Sequence, residues 1–351
     1  MNFECKDFDL SAFDKTLVIA EMGVNHNGDI RLAEEMVTTA FSQGADVIKF
    51  QAFISEKEIS KFAKKTPYQI ETTSDLGNQL EMCKALELSP DQLTHMHKFC
   101  LDLGAPFLCA AFDFDSVDFL VDDLKVKTVK IPSGEMTNLP FLEYIGTKGV
   151  GILLSTGASN LVEVGVAVEK LTKSNSNEIA LFHCVSSYPA PFEQINLRAM
   201  NTLQQVFKVP VGYSDHTVGI YASIAAAAMN ACMVEKHFTL DKNLPGPDHR
   251  ASIEPHELRE LVNGIEIVNQ VKGSSTKKAS DCELENLPLI RKSIVAKNNL
   301  PKGHILSKND IEFKRPEGGI SPAMIDQVIG LKTSHDLFED EPITWESVKW
   351  S

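Results

Sequence analysis

Apolar positions along the chain cluster in eight short runs: Leu17–Gly23, Asp46–Gln51, Pro106–Ala111, Thr128–Ser133, Gly151–Gly157, Ile179–Val185, Val209–Asp215 and Met233–Thr239. Each is too short for a helix and nearly continuous in hydrophobicity, the pattern of strands buried on both faces of a parallel sheet. Amphipathic stretches lie between them, among them Arg31–Gln43, Asn160–Leu171, Asn196–Phe207 and Gly219–Asn230. Alternation of the two predicts βαβ units, and eight such units in roughly 250 residues match a (β/α)8 TIM barrel. An open doubly wound sheet is the competing architecture. It usually has fewer strands, and no Gly-x-Gly-x-x-Gly turn follows the first run.

The pattern breaks at 273–288, where a Ser-Ser-Thr cluster, paired lysines and then acids read as a linker. Residues 1–272 are therefore the expected catalytic barrel and 289–351 a small, mainly β domain. In the latter, Ser293–Ala296, Glu312–Lys314 and Ile343–Trp345 are β-like pieces between Gly/Pro turns. A domain of about sixty residues has a marginal core of its own, so docking on the barrel or on a partner chain is expected to support it.

Composition narrows the class. The formal net charge of −14 opposes nucleic-acid binding. No apolar run is long enough to span a bilayer and none near the start reads as a secretory signal, so a soluble, cytoplasmic protein is expected. Seven cysteines are scattered without a Cys-x-x-Cys pair, which argues for reduced thiols and against a zinc cage. Cys109 and Cys184 lie inside apolar runs, where cysteine is usually a small buried hydrophobe.

Active sites of such barrels lie at the C-terminal ends of the strands. Read at those positions, the sequence offers Glu21, Lys49, Gln51, Lys130, Ser133, Glu135, Ser155, Ser186, Tyr188, Ser214, His216 and His237, with Asp248 shortly after the last strand. A lysine within an apolar strand must be paired or exposed, because an unpaired buried ammonium is costly. Structural ion pairs are one reading of Lys49 and Lys130; an anion site ringed by Ser133, Ser155, Ser186 and Ser214 is the other. Asn25–Gly28 reads equally well as a plain turn before a helix. His216 and His237 at neighbouring strand ends are candidate ligands for a divalent ion, with Mn2+, Mg2+, Fe2+, Co2+ and Zn2+ all open. Glu135 and Glu21 are general-base candidates or salt-bridge partners. Arg315, in a Gly/Pro turn of the small domain, reads by itself as a solvated loop arginine.

Several motifs in order resemble the sialic acid synthase family. They are Ala20-Glu21-Met22-Gly23-Val24-Asn25-His26-Asn27-Gly28, Lys49-Phe50-Gln51, Lys130-Ile131-Pro132-Ser133-Gly134-Glu135, Gly212-Tyr213-Ser214-Asp215-His216-Thr217 and Glu235-Lys236-His237-Phe238-Thr239. The tail, marked by Lys314-Arg315-Pro316, is similar to that family's antifreeze-like (SAF) domain. The resemblance implies a (β/α)8 barrel and a homodimer in which the SAF domain of one chain caps the barrel of the other. It implies a Mn2+-type ion on His216 and His237. It implies phosphoenolpyruvate at Lys49, Lys130, Ser133, Ser155 and Ser214, and an N-acylated amino sugar near Gln51, Tyr188 and Asp248. Arg315 then matches an arginine that reaches toward the sugar's N-acyl group from the partner chain. Condensation would give a nine-carbon sugar acid and phosphate, with Glu135 first and Glu21 second as activator of the attacking water.

The sequence departs from the family pattern at two donors. Ser186 stands where asparagine is common, and Ala111 where threonine is common. Pro132 with Thr137-Asn138, and Ser186–Pro191, look more like legionaminic acid synthases, which use a 2,4-diacetamido-trideoxymannose instead of N-acetylmannosamine. The alternatives are a synthase of seven- or eight-carbon keto-sugar acid phosphates, which would need a second basic cluster, and a non-catalytic carbohydrate- or ice-binding protein, which would not need the strand-end lysines.

Overall fold

The computed structural model describes residues 15–73, 77–174 and 178–350. The chain divides into two compact units, Met1–Gly273 and Ser274–Ser351.

The first unit is the expected closed barrel of eight parallel strands in sequence order. They are β1 (Leu17–Glu21), β2 (Val47–Ala52), β3 (Phe107–Ala111), β4 (Thr128–Ile131), β5 (Gly151–Ser155), β6 (Ile179–Cys184), β7 (Val211–Asp215) and β8 (Met233–His237). Helices α1 (Ile30–Ser42), α2 (Pro90–Leu103), α3 (Phe114–Asp118), α4 (Leu139–Gly146), α5 (Leu161–Lys173), α6 (Arg198–Phe207), α7 (Tyr221–Ala228) and α8 (Pro255–Lys272) follow them in turn. Local chemistry starts these helices. Asp29 caps α1, and capping boxes Ser89/Gln92, Asn160/Glu163 and Glu254/Glu257 open α2, α5 and α8. Each box satisfies backbone N–H groups that have no partner within the helix.

Successive strand residues point to opposite sides, and the barrel uses both. Outward residues such as Phe50, Phe107, Val129 and Tyr213 join the main core against the helices. Inward residues at the lower end form a separate apolar plug that includes Leu17, Ile19, Leu108, Leu153, Phe182 and Met233. Burying each such side chain contributes ~1.5–3 kcal/mol. One inward position further along, the strands turn polar: Glu21, Lys49, Lys130, Ser155, Ser214 and Glu235. The apolar plug is thus the floor of a polar chamber. Gly212 keeps that floor tight, since a Cβ there would lie 2.9 Å from the Phe182 ring and from the Met233 carbonyl.

Between β2 and α2 the chain inserts three short helices, Ser55–Glu58, Pro67–Thr72 and Gln79–Leu86. No helix among the described residues is long and apolar enough to cross a membrane.

The second unit opens with a 3-10 turn, Asp281–Glu283, and a short helix, Leu287–Ile290, within and just past the segment expected as linker. Two antiparallel pairs follow: β9 (Ser293–Ala296) with β10 (Ile311–Lys314), and β11 (Lys332–Thr333) with β12 (Val348–Lys349). Ile294, Leu306, Ile320, Val328, Leu337 and Ile343 centre its own core. Ile343–Trp345 is not a strand; Ile343 instead buries its side chain, donates its N–H to the Ile294 carbonyl and accepts from the Ile320 N–H. Buried Ser293 accepts from the N–H groups of Gly318 and Gly319 and donates to the Pro316 carbonyl. That ties down the turn on which Arg315 stands exposed.

Candidate active site

A cavity of about 280 Å³ opens at the C-terminal ends of the barrel strands, near the lower end of the range for small-molecule sites. It gathers Glu21, Lys49, Gln51, Lys130, Ser133, Ser155, Ser186, Tyr188, Ser214, His216, His237 and Asp248. These residues span more than two hundred positions of sequence, and the strand order brings them to one rim.

The lysines are paired. Lys49 Nζ lies 2.8 Å from Glu21 Oε2 and 3.2 Å from Glu235 Oε2, and Lys130 Nζ lies 3.1 Å from Glu235 Oε2. Ser214 Oγ donates to Glu235 at 2.9 Å, and Gln51 Nε2 donates to Glu21 at 2.6 Å. Lys130 also stands 4.8 Å above the Phe182 ring of the floor, a favourable cation–π contact. The lysines therefore form the ion pairs that one sequence reading expected, and they also line the cavity. Burial opposes ionisation of Glu235, but Lys130 and Lys49 outweigh it and hold its carboxyl below the usual range. Burial raises Glu21, with Lys49 opposing and Glu235 adding to the rise.

Glu235 is the residue that sequence reasoning missed. The signal was present: counting inward from Met233 by twos gives Glu235 and His237 on the cavity side and Lys236 on the other. Lys236 indeed points outward, where Asp215 Oδ2 pairs with it at 3.1 Å.

Around Gly157 the backbone is closely approached by side chains. Its N–H donates to Ser133 Oγ at 3.0 Å, and a Cβ would fall 2.3 Å from Ser186 Oγ and 2.8 Å from Cys184 Sγ. Only glycine lets these groups converge. Ser155 and Ser214 are buried deeper, whereas Ser186 is exposed. On the third strand Ala110 faces the cavity, and Ala111 packs outward in the main core. Ala110 is therefore the position of that strand from which a side chain would reach the cavity, and Ala111 is not. The alternation again explains the one-residue difference.

His216 and His237 lie with ring centroids 5.6 Å apart, and the Tyr188 ring lies 4.1 Å from His216, tilted by 36°. His216 Nδ1 is 2.8 Å from the Val185 carbonyl, which orients the ring and leaves Nε2 free. His237 Nδ1 is buried without a hydrogen-bond partner; Asp248 Oδ2, at 3.7 Å, is too far. Burial pushes His216 down to about 4 and, with His216 itself, holds His237 well below its usual value. Two neutral imidazoles with free nitrogens, beside a carboxylate, fit a divalent cation. Gly23, at φ +51°, lets the first loop pass the His237 ring, which a Cβ would meet at 3.2 Å. Burial, then Glu21, pushes Asp248 up to about 7. A second geometric group, Glu254, His256 and Glu257, is already occupied by helix capping and by Lys242, and His256 is exposed. It is a weaker candidate for an ion.

Glu135 does not line this cavity. It sits on the 3-10 turn Ser133–Thr137 and lines a neighbouring recess with Glu58, Asp113 and Asn138, whose amide donates to it at 2.6 Å. The turn rotates it away from the strand-end ring, while Glu21 stays inside. Arg315 belongs to the second unit. The outer wall of the cavity comes largely from the insertion after β2, with Phe53, Ile59, Tyr68, Met82 and Leu86, and is completed by Phe112 just after β3. That wall was not legible as a pocket from sequence.

Comparison with known proteins decides the lineage. Residues 36–277 match the NeuB family and residues 291–349 match the SAF domain. The chain belongs to the NeuB family. It is 46% identical to the N,N'-diacetyllegionaminic acid synthase of Campylobacter jejuni over 94% of this chain and 99% of that one. It is 44% identical to the Legionella pneumophila protein of the same name, over 95% and 94%. A crystal structure of N-acetylneuraminic acid (sialic acid) synthetase from Leptospira borgpetersenii, in complex with citrate, is 30% identical. Its TM-score is 0.71, and the match covers 80% of this chain and 94% of that one. This NeuB-family chain is an enzyme of the sialic and legionaminic acid synthase type. The resemblance noted from its motifs and the expected barrel with a SAF tail are both borne out.

Proposed function

We propose that this enzyme condenses phosphoenolpyruvate with a 2,4-diacetamido-2,4,6-trideoxymannose to give N,N'-diacetyllegionaminic acid and phosphate. The observation that carries the reading is the convergence of Lys49, Lys130, His216 and His237 on one cavity. Its lysine end suits an anion. Its outer wall of Phe53, Ile59, Met82, Leu86 and Phe112 suits the methyl groups of a deoxy, diacetamido sugar better than a hydroxylated one.

In this reading Lys49, Lys130, Ser133, Ser155, Ser186 and Ser214 bind the phosphate and carboxylate of phosphoenolpyruvate. Gln51, Tyr188 and Asp248 orient the open-chain sugar. His216 and His237 would hold a divalent ion, Mn2+ first with Mg2+ and Co2+ as alternatives, which would supply Lewis-acid polarisation of the sugar aldehyde. The C2=C3 π pair forms the new bond from C3 to the aldehyde carbon, whose own π pair moves onto its oxygen and takes up a proton, leaving C2 as an oxocarbenium centre. Water adds at C2, and the tetrahedral intermediate expels phosphate. Glu21, inside the cavity and raised by burial, accepts the proton of that water; Glu135, the first candidate from the sequence, lines an adjoining recess that shares Glu58 and Phe112 with the cavity and is the alternative base. Arg315 of a second copy contacts the N-acyl group in a domain-swapped homodimer, so that the SAF domain excludes bulk water from the sugar. In this reading the enzyme is cytoplasmic.

The test is phosphate release from phosphoenolpyruvate and Mn2+ with the diacetamido-trideoxy sugar and with N-acetylmannosamine side by side. Faster release with the former, by about tenfold or more in kcat/KM, is expected from one or two extra apolar contacts. Equal rates would remove the sugar assignment, and no release with either would remove the reaction.

A further inference from the structure

Glu235 has a position that the proposed reaction does not use. Its side chain is buried at the centre of β8's inward face. One carboxylate oxygen lies 3.2 Å from Lys49 and 3.1 Å from Lys130, and the other accepts from Ser214 at 2.9 Å. All three partners are groups assigned above to the substrate anion. Glu21 by contrast touches only Lys49 among them. Two lysines face two carboxylates, so the centre of the cavity carries no net positive charge before substrate arrives.

We propose that Glu235 is the resident counter-ion of the lysine pair: it competes with the substrate anion for Lys49, Lys130 and Ser214, and so sets how tightly phosphoenolpyruvate and product phosphate are held. The inference rests on the reading of this cavity as a phosphoenolpyruvate site. Two physical requirements meet in one residue. Buried ammonium groups need a partner when the cavity is empty. A fixed negative charge beside the bound anion then offsets part of its attraction to the same lysines, which keeps phosphate free to leave. Glu235 satisfies the first and causes the second.

Removing the charge while keeping the shape tests this. The full-length protein and its Glu235→Gln variant are titrated calorimetrically with phosphoenolpyruvate and, separately, with inorganic phosphate. The expected result is a Kd lower by about tenfold or more for both anions in the variant, with stronger product inhibition by phosphate and a lower kcat. A folded Glu235→Gln protein that binds both anions equally or more weakly than the parent overturns the proposal. If that variant does not fold, Glu235→Asp carries the test, because the shorter side chain draws the charge back from the lysines. A smaller tightening supports the proposal and none overturns it. If the parent protein releases phosphate but the variant shows no tightening, only this inference falls. If the parent binds neither anion, the phosphoenolpyruvate reading falls with it.

Discussion

The two faces of β8 carry buried lysine–carboxylate networks of the same chemistry in different surroundings. On the inner face Glu235 joins Lys49 and Lys130 beside an open cavity. On the outer face, one residue along, Lys236 pairs with Asp215 where neither side chain has any exposure. Asp215 there also accepts from Tyr213, Ser223 and the Thr217 N–H, and Lys236 donates to the Thr217 carbonyl. Every partner of the outer pair is fixed, so it binds β7, β8 and α7 together. The inner lysines have carboxylate partners but border a cavity, which is where the proposed function puts a further anion. A buried lysine is thus a sign of function only when its network borders a cavity.

Breaking each network separately sharpens this contrast. Lys130→Met should lower phosphate release by about a thousandfold, the scale of losing a charge-stabilising group in a closed site, while circular dichroism shows an intact fold. Lys236→Met should do the opposite. It leaves Asp215 buried without its cation, at a cost of ~3–5 kcal/mol, visible as a lower denaturant midpoint. The folded fraction should keep its kcat/KM within about threefold.

How far the sequence revealed these features depends on periodicity. The eight barrel strands were legible because each is a short apolar run between helix signals, and Lys49, Lys130, His216 and His237 were legible as polar interruptions at their ends. Glu235 was not, because Glu235-Lys236-His237 reads as three polar residues in a row until alternation is counted from Met233. The same counting separates Ala110 from Ala111. Glu135 stood ahead of Glu21 as a base in the sequence, but a 3-10 turn follows β4 and sets it in the adjoining recess. In the tail, the two-residue strands β11 and β12 are too short to show any pattern. The insertion after β2 lacks a strong period, so its apolar residues did not announce a wall.

A smaller effect distinguishes the inner face by pH. Burial holds His216 at about 4, against ~6.5 when exposed. Below the latter value the unfolded chain binds a proton that the folded protein refuses, so stability rises with pH between the two values and is lost as pH falls through them. Across the whole interval the expected contribution is on the order of 3 kcal/mol. Thermal melts of chelator-treated protein from pH 7 to pH 5 should show a falling Tm, and His216→Asn should flatten that slope.

The most direct test of the central claim is a phosphoenolpyruvate titration of Lys130→Met and Lys236→Met under identical conditions. Binding heat should vanish in the first and persist with an unchanged Kd in the second. Loss in both, or retention in both, would contradict the assignment of the inner network to substrate and the outer one to the fold.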